Sequence, residues 1–392
     1  MFFVLKLSKL CNLRCTYCYE YDELHLKDRM SIEDLDRFFA WLAADQPARG
    51  WPRLRFVFHG GEPLLLEHSY LEALVTSQRR HLDPVEIRYA NSLQTNLTRI
   101  DDDTIELLDR LQIGLGVSLD VFGGARVSGS GRDSQDKVLA NLQKLLDAGA
   151  VERLGIGLIT VLHRGNVDRI VSTYEFCATL GLSYRVLPVF SLHDTPARMR
   201  GLTLEHGDLV AALQRLADHW LSTGMDIEVL PLANYLEAAI HSIVAKPART
   251  YDPVVGDWAY IVNTNGDAYS HAEAYSPSGW MGNIFKQPMR EILRSSAREA
   301  SLVPRLDRAR VCTACRYGRD CSRIPLIESL PSERAYADDG ALQCPIALPM
   351  IDFFRERLSR DLNVASMIAE IRQEQSQSTS RCRETATLEA RI

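Results

Sequence analysis

Short apolar runs alternate with amphipathic stretches along the first half of the chain. Apolar runs at 2–7, 54–58, 86–90, 114–119, 154–161 and 183–187 are bounded by polar or turn-forming residues and predict six strands. Between them lie "SIEDLDRFFAWLAA", "DDDTIELLDRL", "SQDKVLANLQKLLDAG" and "NVDRIVSTYEFCATLG", whose apolar positions recur at helical spacing. Several open on Ser, Asp or Asn, which accept from the free N–H groups of a first turn. Two end at Gly, which tolerates the left-handed residue that closes a helix. Strand–helix alternation calls for parallel strands joined by right-handed crossovers. The expected class is α/β: a partial (β/α)6 barrel with functional groups at the C-terminal strand ends, and a smaller C-terminal α+β unit.

From about residue 203 the pattern changes. Helices around 203–223 and 231–245 precede "YIVNTNGDAYSHAEAY", which reads as a hairpin turning at Asn265-Gly266. A cysteine-rich, loop-like region at 311–345 and a last helix reaching about 373 follow. The end, "RQEQSQSTSRCRETATLEARI", is polar, lacks an apolar face and is expected to be disordered. This divides the chain into a core (1–200), a helical bridge (201–250), a cysteine-rich domain (251–348), a C-terminal helix (349–373) and a tail (374–392).

Composition adds exclusions. The 392 residues are 46% hydrophobic and 24% charged, enough for one large domain and a smaller one. A net charge of −6 argues against a nucleic-acid partner. No apolar run is long enough to span a bilayer, and "MFFVLKLSKLCN" lacks a basic start and a cleavage site, so no membrane partner or signal peptide is expected. Seven of the nine cysteines fall in two tight groups. Without a secretion signal, that favours reduced, metal-holding thiolates and a cytoplasmic location.

The first group is "KLCNLRCTYCYEY": Cys11, Cys15 and Cys18. Zinc would call for a fourth protein ligand, and the nearest candidate, His25, lies in a charged segment. An iron–sulfur cube held by three cysteines leaves one iron open to a substrate, and this reading leads. "FVFHGGEPLL" follows the second strand. Gly60 and Gly61 allow close backbone approach, and Glu62, before Pro63, offers an acceptor for an ammonium group; a plain tight turn is the alternative.

"CNLRCTYC", with Tyr17 before its last cysteine, resembles the signature loop of radical S-adenosylmethionine (radical SAM) enzymes, and "GGEP" resembles their methionine-binding motif. The resemblance covers about the first 190 residues. It implies a 4Fe-4S cluster on Cys11, Cys15 and Cys18, with S-adenosyl-L-methionine on the open iron. "QTNLT" (94–98, containing Asn96) and "VSLDV" (117–121) are similar to segments lining the cofactor pocket. By the same resemblance Tyr17, Gly60, Gly61, Glu62, Pro63 and Asn96 are cofactor-binding. Ser118 and Arg126 would meet ribose and carboxylate, and Leu187 in "YRVLPVF" would pack near adenine. Arg126 as a surface cation and Leu187 as a plain core residue stay open.

The second group, "VCTACRYGRDCSRIP" with "ALQCPI", supplies Cys312, Cys315, Cys321 and Cys344. Spacing alone admits zinc or iron–sulfur. The region resembles the SPASM or twitch extensions of peptide-modifying radical SAM enzymes, which implies one auxiliary 4Fe-4S cluster closed by four cysteines. It departs from a full SPASM pattern: Pro325 stands where a cysteine is expected, the hairpin has Ser270 and His271, and no cysteine occurs between 178 and 311. His271 and Asp267 read as hairpin residues, Cys177 as a core thiol, and Cys382 has no evident partner.

The expected function is maturation of a ribosomally made precursor peptide by an intramolecular crosslink, a carbon–carbon cyclophane or else a thioether. Because the sequence begins shortly before Cys11, either a separate leader-binding protein is an expected partner or the barrel and the 203–300 region bind the peptide directly; a flavodoxin- or ferredoxin-like reductant is another expected partner. The alternatives are formylglycine formation of the anaerobic sulfatase-maturase kind, and a zinc-stabilised binding protein on a degenerate core.

Overall fold

The computed structural model describes all residues except 50–52, 123, 190–196, 256–258, 271–276, 324–342 and 361–392. Six strands follow in order: β1 (Phe2–Ser8), β2 (Leu54–Gly60), β3 (Tyr89–Thr95), β4 (Ile113–Ser118), β5 (Gly157–Leu162) and β6 (Ser183–Pro188). Each pairs in parallel with the next. The crossovers carry α1 (Ile32–Arg49), α2 (His68–Leu82), α3 (Asp102–Leu111), α4 (Gln135–Asp147) with the short α5 (Ala150–Leu154), and α6 (Ile170–Thr179). The two-residue β7 (Val229–Leu230) extends the parallel run beyond β6.

Two strand starts differ from expectation, each for a local reason. The third strand begins at Tyr89, because Asp83–Val85 forms a tight turn and Glu86 takes a left-handed conformation (φ 55°) that an extended strand cannot contain. The fifth begins at Gly157, because α5 occupies 150–154 and closes on left-handed Gly155.

Side chains alternate across the sheet as strand geometry requires. Phe3, Leu5, Phe56, Phe58, Leu93, Leu115, Val117, Leu158 and Val186 are buried, the largest of them against the crossover helices. Burying each is worth about 2 kcal/mol. The alternate positions hold His59, Gln94, Ser118, Val161 and Leu187, which are only half-buried. They form the face that looks away from the helices, where polar groups accumulate toward the strand ends.

Helices α7 (His206–Ser222) and α8 (Leu232–Val244) lie close to the expected ranges. The hairpin forms from β8 (Tyr260–Val262) and β9 (Asp267–Ser270), turning at Gly266 with φ +87°. A further strand, β10 (Trp280–Asn283), pairs antiparallel with β9. Strand β8 also pairs in parallel with β1, so all ten strands make one sheet in the order β10-β9-β8-β1-β2-β3-β4-β5-β6-β7. Helices α9 (Met289–Ile292), α10 (Ser296–Ala314) and α11 (Ala347–Arg360) complete the described chain. Helix α10 runs through Cys312, where the sequence reads as loop. The fully buried Asp45 of α1 accepts from Arg290 N–H and its guanidinium, both at 2.9 Å, and so ties α9 to the core. Trp220 of α7 meets Phe354 of α11 edge-on. His271, Pro325, Cys382 and the expected disordered tail lie outside the described residues.

Candidate metal and cofactor site

The cysteine loop leaves β1 and is fastened along its length. Cys11 N–H donates to Leu24 O, Arg14 N–H to Val127 O and Thr16 N–H to Ala125 O, which sets the loop beside residues 125–127. Arg14 donates to the carbonyls of Cys11 and Leu13. Lys6, buried on β1, gives hydrogen bonds to Tyr19 (2.7 Å) and Glu20 (2.5 Å), just after Cys18. Cys15 is buried, and Cys11 and Cys18 are half-buried. Burial pushes the Cys11 thiol up to about 11 and Cys18 to about 12, so as bare thiols they stay protonated at neutral pH. A bound metal displaces those protons. The Cys11 sulfur already faces the Leu13 N–H (3.4 Å) and the Asn96 amide (3.7 Å), donors suited to a thiolate. Among the described residues no three Cys, His, Asp or Glu side chains converge as a single-ion shell.

The glycines beside this loop are sterically required. A Cβ on Gly60 (φ +124°) would lie 2.1 Å from Ser8 O, and one on Gly61 2.2 Å from Leu10 O. The close approach they permit is therefore to the chain leading into Cys11. Glu62 is buried beside them. Its carboxylate accepts from Leu64 N–H (3.0 Å), the Thr95 hydroxyl (2.7 Å) and Asn96 N–H (2.6 Å), binding the end of β2 to the end of β3. Burial pushes its carboxyl up, against the pull of these donors and of Arg126. A carboxylate has four acceptor positions, so one remains on Oε2. Pro63 opens the short turn Pro63–Leu65 that presents this group.

On the other flank Tyr17 donates to Asp120 and accepts from the Arg126 guanidinium at 2.9 Å. Asp120 also accepts from Val161 N–H at 3.0 Å. Burial raises its carboxyl, while Arg126 opposes that shift. The His163 ring lies 6.0 Å from the Tyr17 ring, with Nδ1 accepting from Gly165 N–H. Arg126 is a buried cation, its Nε without a partner among the described residues. Ser118 accepts from Gln94 on the neighbouring strand. Leu187 pairs with Val161, two strands beyond Ser118. Cys11, Glu62 and Asn96 thus form one group, and Cys15, Tyr17 and Arg126 another. Sequence reading missed Asp120, although it sits inside "VSLDV", and His163, which no spacing marks.

His59 precedes the glycines on the half-buried face. Burial first and Lys6 second lower it to about 4, and its Nδ1 accepts from Gly60 N–H at 2.7 Å. Its ordinary value is 6.5, so between 6.5 and about 4 the unfolded chain binds more protons than the folded one. Stability is expected to fall as pH falls through that window, and His59→Gln to flatten the dependence, read as melting temperature against pH.

In the second group Cys312 lies on the last turn of α10 and Cys315 caps it. A Cβ on Gly318 would lie 2.2 Å from Cys312 O, so the turn to Cys321 needs glycine. Cys315 and Cys321 sulfurs accept from Tyr317 and Arg323 N–H groups at 3.4 Å. Cys344 stands just before α11, and α11 is clamped to the CxxC turn. Asp352 accepts from Arg316 and, at 2.6 Å, from the buried Tyr317 hydroxyl, while Arg355 donates to the same hydroxyl. Asp352→Ala is expected to make metal at this group several-fold more labile to a chelator, with the first group unchanged, measured by metal analysis.

Residues 5–177 match the Radical SAM superfamily. The chain carries a radical SAM domain. Its α/β core and parallel sheet agree with the expected fold, and radical SAM proteins bind a 4Fe-4S cluster and S-adenosylmethionine. The serine-type anaerobic sulfatase-maturating enzyme of Klebsiella aerogenes is 28% identical over 214 residues, 54% of this chain and 48% of that protein. The cysteine-type enzyme of Clostridium perfringens (strain ATCC 13124) is 21% identical over 375 residues, 92% of this chain and 97% of that one. The chain spans about half the length of the serine-type Klebsiella relatives it matches. The fold resembles native anSMEcpe with bound AdoMet and Cp18Cys peptide, with TM-score 0.69 and 19% identity over 94% of this chain and 99% of that one. No described helix is long and apolar enough to cross a membrane.

Proposed function

We propose that the chain is a radical SAM enzyme that oxidises a side chain of a protein or peptide, with conversion of Ser or Cys to formylglycine as the favoured reaction. What carries this reading is similarity along 92% of the chain to a cysteine-type sulfatase-maturating enzyme, in a chain that keeps the three-cysteine loop. Cys11, Cys15 and Cys18 hold the cluster. Glu62, through its remaining acceptor position, and Arg126, through its unpartnered Nε, take the ammonium and carboxylate of S-adenosylmethionine. Gly60, Gly61, Pro63 and Asn96 shape that pocket; Ser118 and Leu187 line its ribose and adenine end. A cluster held by these cysteines would, once reduced, supply the one-electron chemistry that turns S-adenosylmethionine into a hydrogen-abstracting radical. The protein's part is to orient the reactants and exclude water.

Cys312, Cys315, Cys321 and Cys344 hold a single auxiliary cluster, closed by its four thiolates and suited to accept the second electron of such an oxidation. That single set, with no cysteine between 178 and 311, supports the crosslinking reading as the second candidate. The relatives favour maturation over a cyclophane or thioether. A flavodoxin- or ferredoxin-like protein would supply the electron.

The test is anaerobic reconstitution, then incubation with S-adenosylmethionine, a reductant and sulfatase-derived peptides carrying Ser or Cys. A hydrazide-trapped aldehyde supports maturation. No aldehyde, but a crosslinked product from a short peptide encoded beside the gene, supports the second reading. Zinc without iron, and no 5′-deoxyadenosine, would sink both.

A further inference from the structure

Beyond β6 the described chain returns to the cysteine loop at Arg198. The short turn Ala197–Met199 is seated by Met199, fully buried, and projects Arg198 onto the segment that follows the last cysteine. Arg198 Nη2 donates to Cys18 O at 3.0 Å, and the guanidinium carbon lies 4.3 Å from the Tyr21 ring centroid. Its Nη1 is 3.9 Å from Asp22, whose side chain is 84% exposed, so water screens that ion pair. The contacts that fix Arg198 are the carbonyl and the ring.

The other cations around the loop differ in kind. Lys6 is neutralised by Glu20 at 2.5 Å. Arg126 is matched by Asp120 through Tyr17. Arg14 belongs to the loop and holds the carbonyls of Cys11 and Leu13 at its opposite end. Among the described residues Arg198 is the cation that donates to the Cys18 carbonyl from a distant part of the chain, and the Asp22 carboxylate nearest its charge is solvated.

We infer that Arg198 is a positioning residue for the first cluster, which holds the Cys18 end of the loop and raises the cluster's reduction potential. The inference rests on the proposal that Cys11, Cys15 and Cys18 bind iron and sulfide. Reduction adds one electron from an external reductant and makes the cluster more negative by one charge. A guanidinium hydrogen-bonded to the backbone of a ligating cysteine stabilises that reduced form more than the oxidised one. The residue thereby couples the electron-accepting step to the correct seating of the chain after β6.

The test is a potentiometric titration of reconstituted wild type, Arg198→Gln and Arg198→Lys. The signal followed is the reduced-cluster paramagnetic resonance that changes on adding S-adenosylmethionine. Arg198→Gln is expected to retain iron but titrate at a more negative potential. At a fixed weak reductant its reduced fraction should fall by about tenfold, equivalent to about 59 mV for a one-electron couple. Arg198→Lys is expected to restore most of the shift. An unchanged potential in Arg198→Gln, or loss of the cluster from both variants, would overturn the inference. Absence of iron from wild type would instead overturn the cluster assignment on which it rests.

Discussion

Cys15→Ala is expected to abolish formation of 5′-deoxyadenosine while leaving the fold intact. Cys15 is the most buried of the three loop cysteines, and it lies within the fields of both Arg126 and Asp120. Removing its thiolate leaves two protein ligands, too few to hold a cube that must also keep one iron open. Total iron should drop from about eight to about four per chain, since the second cysteine group is remote in sequence and fastened separately through Asp352. Truncating one small sulfur-bearing side chain costs the fold on the order of 1 kcal/mol, so helix content and melting temperature should change little. Cys312→Ala is the informative contrast. It should also lose about four irons while keeping cleavage of S-adenosylmethionine uncoupled from substrate. If Cys15→Ala still releases 5′-deoxyadenosine, the open cluster is not on this loop.

The repeating part of the fold was legible because it is local. Strands β1, β2, β4 and β6 fall close to their apolar runs, since each run is short, continuous and bounded by turn residues. Strands β3 and β5 begin late where a left-handed residue, Glu86 or Gly155, ends the preceding element. Neither conformation has an apolar signature. Joining the C-terminal hairpin to the core sheet depends on three residue pairs, with Phe3 opposite Tyr260, and no periodicity reports so long-range a pairing. Helix α10 hides behind Pro304, which punctuates its sequence, so the segment entering Cys312 reads as loop.

The candidate site divides in the same way. Cysteine spacing and the Gly-Gly-Glu run sit on contiguous residues and could be read directly. Asp120, His163 and Arg198 come one at a time from separate strand ends and turns, and only the folded sheet brings them to Tyr17 and Cys18. The structure also sharpened the role of Glu62. Sequence suggests a ligand acceptor, whereas three of its four acceptor positions are already used, one to cap the Pro63–Leu65 turn and two to lock β2 to the end of β3. Binding and architecture therefore share one carboxylate.

Gly61→Ala is expected to have the second-largest effect, and it tests that sharing. The added methyl would meet backbone: Leu10 O at 2.2 Å and Lys9 O at 2.4 Å. Neither atom belongs to a flexible side chain that can swing away. The contact is held by Gly61 N–H donating to Ser8 O and Glu62 N–H donating to Leu10 O. Relief means parting the end of β2 from the chain entering Cys11, which weakens two backbone hydrogen bonds worth about 1 kcal/mol each. Overpacking adds about 1–3 kcal/mol. Parting these segments also draws Glu62 away from Thr95 and Asn96, and with them the Asn96 amide from the Cys11 sulfur. The variant should therefore melt several degrees lower, lose iron at the first group and cleave S-adenosylmethionine at background rate. Gly129→Ala, where an added Cβ meets nothing within 4 Å, controls for a generic glycine effect and should behave as wild type. If Gly61→Ala keeps its iron and still cleaves S-adenosylmethionine, the close packing of these two segments is not what positions Cys11.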